Sequence, residues 1–194
     1  RPTEDYQGLF KYFRGELKNL NVTDANVSGN GNTGAVLGYT DSKPDGSNAT
    51  VANVHVKSFA GSKVKGGSSY IGGFVGKPTK TNFTDCSFDG AVESGNSYVG
   101  GFFGTQGGNN IFTRCRTKGQ VLCSGSYAGG FAGYLSYVTG RTNFYDILTQ
   151  MEITGSGYTG GFAGRLDTYN NSSNTAIYWL ERVIVICGAP NASL

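Results

Sequence analysis

Tyr98-Val99-Gly100-Gly101-Phe102-Phe103-Gly104 is one of four copies of the phrase Tyr-x-Gly-Gly-Phe-x-Gly, and the recurrence of that phrase decides the fold. The other copies are Tyr70–Gly76 (YIGGFVG), Tyr127–Gly133 (YAGGFAG) and Tyr158–Gly164 (YTGGFAG). Successive tyrosines lie 28, 29 and 31 residues apart. A fixed period in this range marks stacked supersecondary units, because a single unit cannot bury its own apolar face. Two fainter copies come earlier. Gly34-Ala35-Val36-Leu37-Gly38 keeps the small-small-apolar frame, and Gly8-Leu9-Phe10 reads as a frayed first copy. The interval before Gly76 is about ten residues too long, and the polar stretch 41–50 (DSKPDGSNAT) reads as a loop inserted there.

A second phrase alternates with the first. It appears as Leu17–Val22, Val51–Val56, Phe83–Phe88, Phe112–Thr117 and Phe144–Thr149, with apolar residues first and fourth and a polar residue third. This pattern predicts a strand that bends near its third residue. A valine-centred strand follows (Ala91-Val92-Glu93, Gln120-Val121-Leu122), then a Ser/Gly/Asn turn, then the tyrosine phrase as a third strand. The expected fold is therefore all-β: a single-stranded parallel β-helix, or β-solenoid, of about six coils of roughly 29 residues. Right-handed winding is expected, as for other parallel crossovers. Like residues then form columns at the rung spacing of about 4.8 Å. Phe74, Phe102, Phe131 and Phe162 should make one column, and Leu20, Val54, Cys86, Cys115 and Ile147 another.

Composition agrees with this reading. Thirty-two glycines in 194 residues disfavour helix. A content of 38% hydrophobic and 13% aromatic residues is too rich for disorder. The net charge of +3 comes from scattered lysines and arginines, so nucleic acid is not an expected partner. No apolar run reaches the roughly 18 residues of a membrane span, so no membrane insertion is expected. The repeats occupy 1–165. Residues 166–194 combine a polar loop with the apolar run Ala176–Cys187, read either as a cap across the last coil or as an interface strand through Trp179, Val183 and Val185.

The glycine-glycine-aromatic phrase, preceded by an apolar strand and a Gly-x-Val step, resembles the GLUG repeat, written roughly Val-Gly-Gly-Leu-Val-Gly. Val99–Gly104 is the closest copy, with phenylalanine in place of leucine. The resemblance implies a β-helical stalk or adhesive module of the kind found in surface adhesins, and it brings no catalytic residues.

Several side chains could carry chemistry. Cys86 and Cys115 sit one period apart and could bridge adjacent coils, and Cys123 and Cys187 could form a second pair. The lack of a Cys-x-x-Cys spacing and the single His55 argue against zinc, and no cofactor is expected. Asn21, Asn26, Asn48, Asn82, Asn170, Asn171 and Asn191 head glycosylation sequons. Asp85, Asp89 and Glu93 share one coil, and Asp146 and Glu152 a later one. Asp85 and Asp146 align with Asn19 and Asn53 at the bend and read as a turn-stabilising row, not a paired acid and base. Tyr70, Tyr98, Tyr127 and Tyr158 form either a half-buried stack or an exposed aromatic track for glycan or protein. Strict alternation puts them on the side of the phenylalanines. The function expected from these features is an extracellular or cell-surface structural or adhesive module without enzymatic activity. It would self-associate or bind other surface proteins, with glycans as a further partner. A carbohydrate-active or carbohydrate-binding β-helix is the alternative.

Overall fold

The structure, a computed structural model, describes residues 4–59, 61–136, 140–167, 170–171, 174–175 and 178–186. Among these residues every regular element is a strand, and no helix is long and apolar enough to cross a membrane. The chain winds as a parallel β-solenoid with four strand columns. The first column is a six-stranded sheet of β1 (Phe10–Phe13), β4 (Leu37–Thr40), β8 (Val75–Lys77), β12 (Phe103–Thr105), β16 (Ala132–Leu135) and β19 (Ala163–Leu166). The second stacks β2 (Glu16–Thr23), β5 (Ala49–Lys57), β9 (Thr81–Thr84), β13 (Asn110–Thr113), β17 (Thr142–Gly155) and β22 (Tyr178–Val185). The third holds β3 (Val27–Gly29), β6 (Lys63–Gly66), β10 (Ser87–Ser94), β14 (Arg116–Cys123) and the later half of β17. These last two columns form one ten-stranded sheet, since β5 and β17 run through the bend between them. The fourth is short: β7 (Ile71–Gly72), β11 (Val99–Gly100), β15 (Tyr127–Gly129) and β18 (Tyr158–Gly160). The two-residue strands β20 (Asn170–Asn171) and β21 (Asn174–Thr175) pair antiparallel.

The predicted bend is real and has a definite conformation. Asn19, Asn53, Asp85, Arg114, Asp146 and Arg182 all adopt positive φ, between 50° and 57°. This left-handed region is tolerated best by Asn and Asp, whose short polar side chains bond locally. The two arginines are the unusual occupants. Each faces an aspartate one coil before it: Arg114 donates to Asp85 through Nε at 2.6 Å and Nη2 at 2.8 Å, and Arg182 pairs with Asp146. Asn53 likewise donates to Asn19 at 2.8 Å.

The tyrosine phrase forms two short strands with a bend between them, not the single strand expected. At Gly100 a Cβ would stand 2.1 Å from the Phe103 carbonyl oxygen, so the chain folds back too tightly for any other residue. At Gly101 a Cβ would stand 2.1 Å from the carbonyl oxygen of Gly130 on the next coil. The two glycines thus set the bend and the rung contact respectively.

The core is built of columns. Phe74–Phe102, Phe102–Phe131 and Phe131–Phe162 stack with ring centroids 4.6, 4.9 and 5.4 Å apart. A second column, Phe83–Phe112–Phe144, stacks at 5.0 and 5.1 Å. The two columns meet edge to face, as Phe102 and Phe112 do at 87°, the geometry that aromatic quadrupoles favour. The predicted aliphatic and sulfur row is also present, pairing Leu20 with Val54 and Ile147 with Val183.

Two expectations change. The ten extra residues are divided between two places. Tyr39 to Ala49 takes ten steps where Lys77 to Thr81 takes four. Lys57 to Lys63 takes six where Asp89 to Ala91 takes two. Part of the surplus therefore lies between Lys57 and Lys63, in the third column. The apolar C-terminal run, moreover, does not cross the last coil. β22 lies parallel on β17 in register, Thr142↔Tyr178 through Thr149↔Val185, and so opens a further rung. It carries the same phrase, Leu180–Val185, with Arg182 at the bend.

Candidate functional site

The tyrosine row forms a continuous stack. Tyr70–Tyr98, Tyr98–Tyr127 and Tyr127–Tyr158 lie 5.4, 5.1 and 5.5 Å apart, with interplanar angles of 22°, 8° and 11°. Tyr70, Tyr98 and Tyr127 are half-buried, and Tyr158 is 71% exposed. The alternation argument fails here. Tyr70 and Tyr98 have φ of 70° and 66°, which turns their side chains to the outer corner and leaves Ile71 and Val99 as the buried neighbours.

A salt-bridged clamp closes this stack. Tyr134 stacks on Tyr98 at 4.9 Å. The Arg165 guanidinium lies over the rings of Tyr127 and Tyr134, at 5.2 and 5.0 Å. Its Nε and Nη2 donate to Asp167, both at 2.9 Å, and the Tyr134 hydroxyl donates to the same carboxylate at 2.7 Å. Arg165 and the hydroxyl hold the Asp167 carboxyl below its usual range. Burial, then the neighbouring carboxylate, pushes Tyr134 up to about 12. Chemically the row is a comb of phenol edges and hydroxyls at the rung spacing. The faces of Tyr98 and Tyr127 are covered by their neighbours in the row, and Tyr158, 71% exposed, is the ring left most open.

The other predicted residues separate. Asp85 and Asp146 belong to the bend ladder, and Glu93 pairs with Lys63 and Lys65 on the outer face of β10. Arg114 depresses Asp85, and Lys63 depresses Glu93. Asp85 and Glu93 are thus lowered by their cationic partners, the opposite of the shift a general acid needs. His55, which lacks an evident serine partner in the sequence, stands 2.8 Å from Ser87 Oγ through Nδ1 and 2.9 Å from Asn53 Oδ1 through Nε2. Ser87 is its register partner on the next coil, a signal visible once the rungs are aligned.

Cys86 and Cys115 occupy neighbouring positions of one row, both fully buried, but no bridge joins them: they are free thiols, as is Cys123. Their Sγ atoms point to carbonyls instead, Cys86 to Thr84 at 3.3 Å and Cys115 to Thr113 at 3.6 Å. Burial raises the Cys115 thiol well above its usual value. Cys187 and Asn191 lie outside the described residues. Among the sequons, Asn21 and Asn26 are exposed. Asn48 is tied by its amide to Asn82 at 2.8 Å and to the Asn109 carbonyl at 2.9 Å. Asn170 and Asn171 lie in the short antiparallel pair. Trp179 pairs by its backbone with Asn143, and Val183 and Val185 pair with Ile147 and Thr149.

Stacked like rungs, glycine-set bends and internal phenyl columns define a repeat protein of the parallel β-helix class. Residues 67–93 match the family model described as the GLUG motif. That span is nearly one full coil, from Gly67 through the Tyr70–Gly76 phrase and the Asp85 bend to Glu93, one coil before the Val99–Gly104 copy. The chain thus carries a GLUG motif within a parallel β-helix. No curated protein and no solved structure matches it.

Proposed function

We propose that this chain is an extracellular or cell-surface module that acts structurally and adhesively, by extension, self-association and contact with other surface molecules, and not by catalysis. The observation that carries this reading is the continuity of the columns. Phenylalanines inside and tyrosines at the corner stack rung upon rung, so successive repeats lengthen one stiff body. Such a body is suited to spacing and presentation, since its flat sides grow with each added coil. The exposed Ile184, Val185 and Ile186 on β22 and beyond support self-association. Their relative exposures are 58%, 40% and 53%, and apolar surface of this kind favours contact with another apolar surface.

Two measurements test the reading. An antibody against the folded chain should label intact, unpermeabilised cells of the source organism, and protease applied outside should remove the label. Label found only after permeabilisation overturns the proposal. Light scattering behind size exclusion should give a mass above the monomer for the chain and the monomer mass after truncation before Val183. Identical monomeric masses would remove self-association from the reading.

A further inference from the structure

The five residues 58–62 stand where the next coil has Gly90 alone, so four of them have no counterpart there. Ser58, Phe59 and Ser62 are each tied by a backbone N–H hydrogen bond. Ser58 N–H donates to the Asp89 carbonyl at 2.8 Å, Phe59 N–H to Asp24 Oδ1 at 3.2 Å, and Ser62 N–H to the Phe59 carbonyl at 3.1 Å. Phe59 is 57% exposed, with Lys57 Nζ 5.6 Å from its ring centroid. A phenyl more than half exposed keeps apolar area open to a ligand.

Beside Phe59 lies a trough. One cavity of about 390 Å³ runs from Phe59 over Gly90 and Ala91 to Gln120. A second, also about 390 Å³, shares Gly119 and Gln120 with it and continues past Gln150 and Glu152 to the exposed Ile186. The floor dips because Gly90 and Gly119 pair across the rungs, with φ of 119° at Gly119. One wall is the register row Lys57–Asp89–Lys118–Gln150, the other Ala91–Gln120–Glu152. The trough therefore runs along the solenoid axis, one rung at a time.

We propose that this trough binds a linear, uncharged polysaccharide lying along the axis, with one sugar ring stacked on Phe59. The lining selects this class. β10 and β14 are hydrogen-bonded on both sides, so no strand edge is open to an extended peptide. Cationic Lys57 and Lys118 alternate with anionic Asp89 and Glu152, which gives a polyanion no uniform field. What remains is a comb of amides, carboxylates and ammonium groups for hydroxyls, with one aromatic ring for an apolar sugar face. The proposal deepens the adhesive reading above and rests on it.

Affinity electrophoresis of the whole chain through gels containing xylan, galactomannan, mixed-linkage β-glucan or hydroxyethylcellulose tests it, with alginate as polyanion and carboxymethylated casein as unfolded polypeptide. Retardation is expected on at least one neutral glycan, weakened about tenfold by Phe59→Ala and also weakened by Gln120→Ala, with unchanged circular dichroism and melting. No retardation on any neutral glycan overturns the site, as does retardation on casein alone. Glycan retardation that Phe59→Ala leaves intact also overturns the trough, while the adhesive reading survives. Failure of surface labelling would instead remove that reading.

Discussion

Gly101 and Gly95 make a paired test of what each glycine does. Alanine at Gly101 drives a methyl group against the Gly130 carbonyl, while alanine at Gly95 meets nothing within 4 Å. Gly101→Ala should lower stability by about 1–3 kcal/mol in chemical denaturation. Gly95→Ala should stay within about 0.5 kcal/mol of the parent. Tyr134 offers a spectroscopic test. Its folded value of about 12 exceeds the ordinary tyrosine value, so the neutral phenol is favoured by the fold. The contribution to stability is then whole below about pH 10 and is lost as pH rises through the folded value. Ultraviolet titration of tyrosinate should show a step near pH 12 that disappears in Tyr134→Phe. The phenylalanine columns were legible in the sequence because the period projects identical residues onto one line. The outward turn of Tyr70 and Tyr98 was not, since alternation assumes extended backbone and these two residues leave it. Phe59 gave one signal only, the surplus length of its coil.

The bend is the element on which sequence and structure agree most closely. A polar third residue in every copy of the strand phrase marked it, and each such residue proves left-handed. The ladder it carries is exposed, with the Arg114 and Asp85 side chains 55% and 48% accessible, so its energy is modest. The lowered Asp85 carboxyl contributes stability that is present above the ordinary carboxylate value near pH 4 and fades as pH falls through the folded value. Asp85→Asn should flatten that part of the acid-unfolding curve while changing neutral-pH stability by less than about 1 kcal/mol. The thiol row belongs to the same strands. In a Cys187→Ser background, Cys86 and Cys115 should resist a water-soluble disulfide reagent until the protein is unfolded, because both are 0% exposed. Fast labelling of either in native buffer would contradict their burial. Period alone placed these two cysteines together but could not tell a bond from a contact. The β22 rung was legible too, as Leu180–Val185 repeats the phrase, yet its apolar richness suggested a cap.

For the whole molecule, the period told that the coils stack and how long each one is. It did not tell how a coil is divided, because four strands and three differ only in where Gly-Gly bends the chain. Nor did it place surplus length, which a count of residues leaves free to lie in either loop. The aromatic end of the trough comes from that second surplus, so the repeat pattern concealed the Phe59 part of the proposed site.

The parallel register between rungs has a mechanical consequence. Interstrand hydrogen bonds of β10, β14 and β17 lie along the solenoid axis, so tension applied from end to end loads the rungs in series and peels them singly. Each peeled coil frees one period, which at about 3.4 Å per residue extends by roughly 100 Å. Single-molecule stretching should accordingly yield a sawtooth whose contour-length increments cluster near that figure. One large rupture releasing the entire chain would mean that the coils yield together instead of in turn.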